Sequence, residues 1–198
     1  MVNKSFGKTF KGVAGYTIDQ TILIVAVIAI LITMIIASVG WDLLSRAGGT
    51  KLASHLRQFE TAVGQFFAKH AVWPHQAGGA TGVGNGSANF RALITSTVVD
   101  AQYSDEPGEF ENYLPSYDGT QDPVQHFFGG GGDVTLDEEV EPVTGQTYLT
   151  FTLIGVPKQE YEEADKKIDG EVDYAKGRVQ GTDNGTTVDV KYYSNLIN

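Results

Sequence analysis

Histidine is the side chain best suited to moving a proton or holding a transition metal near neutral pH, and the chain has four: His55, His70, His75 and His126. Their spacing supports neither use. No HExxH motif and no i,i+4 pair is present, so a transition-metal site is not expected. With 24 acidic residues, a Ser-His-Asp or paired-carboxylate constellation cannot be distinguished from coincidence, and no catalytic residue is nominated. There is no cysteine, hence no thiolate chemistry and no disulfide framework. The glycine-rich stretches at 78–86 and 129–132 lack the Lys-Ser/Thr that follows a phosphate-binding loop and read as flexible linkers. What remains is hard-oxygen chemistry. Asp169-x-x-x-Asp173 and Asp183-Asn184 place carboxylate and amide oxygens in turns, and calcium is the one small ligand they suit, although the EF-hand spacing is absent. No other cofactor is implied.

The charge is unevenly placed. Lys4, Lys8 and Lys11 are the only charged residues before Asp19, whereas residues 100–189 carry most of the acidic groups in a chain of net charge −10. An acidic body repels phosphate backbones, which argues against nucleic acid as a direct partner.

The elements that must position these groups begin with Ile22–Val39. It contains 18 residues with no charge, about 27 Å as a helix and near the thickness of a hydrocarbon core. Basic residues precede it and the acidic bulk follows, so the positive-inside rule leaves the N-terminus cytoplasmic and the remainder outside. A cleaved secretory signal would have a shorter apolar region, although Ser38-Val39-Gly40 would pass as its site. Beyond Val39 the apolar residues narrow to a stripe. Leu52, Leu56, Phe59, Val63, Phe66 and Phe67 mark one helical face, with Lys51, Ser54, Gln58, Thr61, Gln65 and Lys69 largely off it. The spacing predicts one helix from about Thr17 to about His70, ended by Trp73-Pro74. Gly40 and Gly48-Gly49 would let it bend or unwind.

Ala88–Thr97 suggests a short helix, and 100–146 carries no element signal strong enough to place. Thr147–Val156 alternates as a half-buried strand, and Pro157 opens a short helix to Lys167. Gly177–Gly181 and Thr186–Tyr193 read as strands joined at Asp183-Asn184-Gly185. The expected class is α+β, a long N-terminal helix whose first half spans a membrane and whose amphipathic second half packs on a C-terminal antiparallel β-sheet.

The start of that helix, Gly15-Tyr16-Thr17-Ile18-Asp19-Gln20, resembles the prepilin processing site of type IV pilins and pseudopilins. In that family a basic leader ends in glycine, an aromatic or Met often follows, a carboxylate lies within a turn, and an unbroken apolar run comes next. Trp73-Pro74 resembles the end of the family's amphipathic helix half. Thr150–Pro157 followed by Ile168-Asp169-Gly170 is similar to the C-terminal region of many subunits, type IVb especially. The resemblance implies a leader of residues 1–15 cleaved after Gly15 by a prepilin peptidase, methylation of the new amine on Tyr16, a filament-core helix half at 16–49 and a pilin-like globular domain at 50–198. It implies a homopolymer built by a pilus assembly machinery, membrane-held before assembly and extracellular afterwards. Two departures stand out. The family's usual glutamate position is Gln20, with Asp19 one place earlier, and the disulfide of many relatives is missing, Tyr161 lying about where one cysteine would fall.

A carboxylate is costly in a bilayer, about 2.5–3.5 kcal/mol at the centre and less at the edge, so it takes a partner. The resemblance supplies one, the freed amine of Tyr16 on a neighbouring subunit, with Asp19 or Gln20 setting the register. Thr17-x-x-Gln20 is also a capping box, and Asp19 favours the helix dipole whether or not anything is cleaved. The alternative reading is an uncleaved bitopic anchor carrying an extracytoplasmic binding domain.

Overall fold

The structure, a computed structural model, describes residues 18–103 and 110–197. Among the described residues helix α1 runs over Ile18–His70 and ends close to where the apolar pattern places its end. It stops three residues before Trp73-Pro74, with Ala71 in the left-handed region at φ 56°. Pro74–Gln76 then forms a single 3-10 turn. The chain divides into two units, Met1–Asp42 and Leu43–Asn198, and α1 contributes to both.

In the second unit, Leu52, Leu56, Phe59, Val63 and Phe66 are fully buried, while Lys51, Ser54, Gln58, Thr61, Gln65 and Lys69 are exposed. Phe67 departs from the expected stripe. One residue past Phe66 is a rotation of about 100°, which carries it off the core face. It is 39% exposed and stacks on Trp73 at 4.1 Å.

The stripe packs on a five-stranded, wholly antiparallel sheet formed by β1 (Val124–Gln125), β2 (Asp133–Val140), β3 (Thr147–Pro157), β4 (Val179–Asp183) and β5 (Thr187–Leu196), in the order β1-β2-β3-β5-β4. Phe59 stacks on Phe151 of β3 at 4.9 Å and meets Phe90 edge-on at 5.5 Å. The Glu60 carboxylate accepts from the Tyr192 hydroxyl at 2.7 Å and from the Arg178 guanidinium at 2.9 Å, tying α1 to the β4–β5 side of the sheet. The expected helix at Ala88–Thr97 divides into α2 (Gly86–Arg91) and a separate 3-10 turn at Ser96–Val98, because Thr95 is extended and its hydroxyl caps the second piece. Helix α3, Lys158–Ile168, follows β3, with Pro157 as its N-cap.

Two expectations about glycine are corrected. Residues 129–132 are not a linker but the turn between β1 and β2, closed by Gly131 N–H to the Phe128 carbonyl and His126 N–H to the Gly132 carbonyl. Gly48-Gly49 is not a hinge either, for α1 is unbroken there. A Cβ on Gly49 would run into Glu163 and the Glu160 carbonyl of α3, so glycine permits close packing of the two helices rather than bending.

Candidate functional site

Among the described residues of the first unit no apolar side chain is buried. Ile18–Gly40 is long and apolar enough to cross a membrane, with a mean hydropathy of 3.2 and none of its apolar window buried. The two polar residues within 22–39 make no demand on a solvent: the Thr33 hydroxyl donates to the Ala29 carbonyl at 2.8 Å and the Ser38 hydroxyl to the Ile35 carbonyl at 3.0 Å. A helix that satisfies its own backbone and its own hydroxyls suits a medium without water.

Asp19 and Gln20 are both exposed in the first turn of this helix, and Asp19 is the acidic residue at its positive dipole end. The expected cleavage and methylation residues, Gly15 and Tyr16, and the capping partner Thr17 lie outside the described residues.

The four candidate calcium residues are accounted for separately. Asp169 follows α3 and accepts from the Val179 amide at 2.8 Å. Asp173 accepts from the Ala175 amide at 2.9 Å and lies 3.8 Å from the Lys176 ammonium. Asp183 and Asn184 sit at the β4–β5 turn, where the Asp183 carboxylate pairs with Lys158 and accepts from the Gly185 amide at 2.8 Å. Among the described residues, no three His, Asp or Glu side chains converge as a metal centre would require.

The histidines have protein partners. His70 Nε2 lies 3.1 Å from the Tyr113 hydroxyl, His75 Nε2 3.3 Å from Glu138, and His126 Nε2 2.7 Å from the Ile154 carbonyl. His55 is ringed by Phe59, Tyr117, Phe127 and Phe128. Burial holds His55, His75 and His126 below the usual imidazole range. A groove of about 400 Å³ runs beside the outer face of α1, and among the described residues Arg57 is the one charged group lining it.

One group escaped notice in the sequence. Asp165 of α3 is fully buried, and its Oδ1 has no hydrogen-bond partner. Tyr161, Ala164, Asp165 and Ile168 recur at i, i+3, i+4 and i+7, which puts an acid on the apolar face of α3; that spacing is the signal that could have found it.

Neither a family model, nor a curated protein, nor a solved structure matches the chain.

Proposed function

We propose that this chain is a structural, non-enzymatic subunit of a type IV pilus or type IV-like filament. In this reading residues 1–15 are a leader, removed by a prepilin peptidase after Gly15. The new amine on Tyr16 is methylated, and the apolar helix holds the subunit in the cytoplasmic membrane, C-terminal domain outside, until the assembly machinery draws it into a homopolymer. Asp19 is the register-setting carboxylate, meeting the Tyr16 amine of a neighbour, while Gln20 caps the helix. Once assembled the filament is extracellular.

The observation that carries the reading is α1 itself. Among the described residues, one continuous helix has its first apolar stretch uncovered, and in the sequence that stretch follows Gly15-Tyr16 with Asp19 between them. An apolar surface of that extent needs lipid or other copies of itself around it. In a bilayer the helix is an anchor; stacked with its own kind, it is a filament core.

The test is the intact mass and N-terminal sequence of the chain taken from its native membranes. A start at Tyr16, with a methyl group on its amine, is expected, together with filaments by electron microscopy. A start at Met1 would make the chain an uncleaved anchor for an outer domain and would overturn the filament reading. Gly15→Val should leave the longer species in the membrane and abolish filaments, because a bulky residue blocks the close approach a peptidase needs. Asp19→Asn should be processed but assemble poorly.

A further inference from the structure

The second unit carries the tripeptide Asn-x-Ser/Thr twice, at Asn85-Gly86-Ser87 and Asn184-Gly185-Thr186. That spacing is what an asparagine-linked glycan needs: the asparagine amide supplies the nucleophile, and the hydroxyl two residues on is part of what the transferring enzyme recognises. The two copies are nearly identical in sequence, and the fold treats them differently.

At Asn85 the tripeptide is built in. The Asn85 N–H donates to the Gly82 carbonyl at 3.0 Å, and the Asn85 carbonyl accepts from the Asn89 N–H at 3.0 Å as α2 begins. Gly86 passes so close to β2 that a Cβ would meet Thr135 at 2.9 Å. The Ser87 hydroxyl is taken by the Asp122 carboxylate at 2.5 Å. An enzyme that needs this tripeptide would have to pull the start of α2 off the sheet and break the Ser87 bond.

At Asn184 nothing has to break. The connection from β4 to β5 is Asn184-Gly185-Thr186 alone, and all three residues are exposed. Main-chain groups and Asp183 hold the turn. The Asn184 N–H donates to the Thr187 carbonyl at 2.9 Å, the Lys158 N–H to the Thr186 carbonyl at 3.1 Å, and the Gly185 N–H to Asp183 Oδ1 at 2.8 Å. Gly185 takes a φ of 91°, and a Cβ there would meet nothing within 4 Å. The Asn184 carboxamide and the Thr186 hydroxyl take no part, and among the described residues neither has a hydrogen-bond partner. A groove of about 460 Å³ opens beside Gly185 and Thr186, walled by Lys158, Gln159 and Glu162 of α3, which leaves a saccharide both room and polar groups to lie against.

We propose that Asn184 is the attachment site of an asparagine-linked glycan, received on the outer face of the membrane from a saccharide carried on a lipid phosphate, and that Asn85 stays bare. The inference rests on the outward topology of the reading above and not on polymerisation. In the transfer, Asn184 Nδ2 bonds to the anomeric carbon of the saccharide. The bond from that carbon to the lipid phosphate breaks, its electron pair leaving on the phosphate oxygen, and one amide proton passes to a base of the enzyme.

Mass spectrometry of tryptic peptides from the chain taken from its native membranes or filaments tests this. Asn184 falls in the peptide 179–191 and Asn85 in 70–91, so the two are read separately. The first should carry a saccharide, placed on Asn184 by fragmentation, and the second none. Asn184→Gln and Thr186→Val should each remove the whole saccharide mass from the intact subunit, and Thr186→Ser should keep it. All three should melt as the wild type does, since neither side chain holds the fold together. A saccharide that survives Asn184→Gln is linked through a hydroxyl oxygen, and a 179–191 peptide altered only by deamidation of its Asn-Gly pair carries none; either overturns the proposal. Equal occupancy of Asn85 does so too, because the fold would then not select the site. The same digest reads the N-terminus. A start at Tyr16 with a bare Asn184 defeats the glycan alone, whereas a start at Met1 with a glycosylated Asn184 defeats the filament reading alone.

Discussion

Two stretches of one helix have nearly opposite fates. Between Ile22 and Val39 every large aliphatic side chain is exposed; between Leu52 and Phe66 the stripe at steps of four and three is wholly enclosed. Apolar content does not separate them, for the exposed stretch is the more hydrophobic. Pattern does. A helix apolar all round has no face to turn toward water and cannot be completed by one sheet on one side, whereas a stripe can. The second stretch has its apolar environment in β3 and β5, and the first, none of it buried among the described residues, is long and apolar enough to cross a membrane.

The largest effect expected from this contrast is all or nothing. A chain beginning at Leu43 should be soluble and melt cooperatively, because no residue of the enclosed core precedes it. A chain beginning at Trp73 should not fold. Each large side chain of the stripe contributes about 1.5–3 kcal/mol by burial, and five together rival the 5–15 kcal/mol margin of a typical domain. Circular dichroism melts of the two pieces decide it. Cooperative melting from Trp73 onward would mean that the stripe is not part of the core.

Single substitutions sharpen the same contrast. Phe59→Ala, with Phe90, Tyr117 and Phe151 packed around it, should cost about 3–5 kcal/mol. Ile28→Ala in the uncovered stretch should leave the melting of the second unit unchanged to well under about 1 kcal/mol. A comparable shift from both would erase the distinction between the two stretches.

Glycine gives a finer comparison within α1. Gly49→Ala forces a methyl group against Glu163 and the α3 backbone and should destabilise by about 1–3 kcal/mol, as overpacking does. At Gly40 a methyl group meets nothing within 4 Å, so Gly40→Ala should favour the helix by up to about 1 kcal/mol. In thermal melts of the second unit, Gly49→Ala should lower the midpoint and Gly40→Ala should leave it where it is.

The smallest effect is a pH dependence with two limbs, read as urea midpoints on the piece beginning at Leu43. Glu141 is buried, which opposes its charge, but donors from Thr144, Val143 and Gln180 hold its carboxyl down to about 2. Its folded value lies below its unfolded one, so its contribution is complete above the ordinary carboxylate range and is lost as pH falls toward 2. Asp165 runs the other way: raised to about 7, it favours the folded state at low pH and loses that contribution as pH rises through neutrality. Glu141→Gln should flatten the acid limb alone, and Asp165→Asn the neutral one alone.

The sequence foretold the parts of the fold that repeat a period and missed those that break one. The α1 stripe, the alternation of β3 and the turn at Asp183-Asn184-Gly185 are regular enough to place. β2 is not. Val134 and Leu136 begin an alternation, but the next position in phase is Glu138, an acid tolerated there because His75 pairs with it. β1 is two residues long and exists only by pairing with Asp133 and Val134. Gly48-Gly49 looked like a weak point because propensity describes an isolated helix; the neighbour that makes glycine necessary is more than a hundred residues away. Asp165 was hidden among the acids of α3, since composition counts charges without saying which side they face.

The fastening of α1 to the sheet has a mechanical consequence. Leu52, Leu56, Phe59, Val63 and Phe66 lie along one line, and the Glu60 bridge to Tyr192 and Arg178 sits in the middle of it. A pull along the helix axis enters the domain at one end of that line and tries to slide the whole row at once. All five side chains must leave their sites together, and the ionic bridge must break in the same movement, so the load is shared in shear instead of being released one contact at a time. A pull across the axis would peel the row contact by contact and needs far less force. The domain is strongest in the direction along which its own helix would transmit tension.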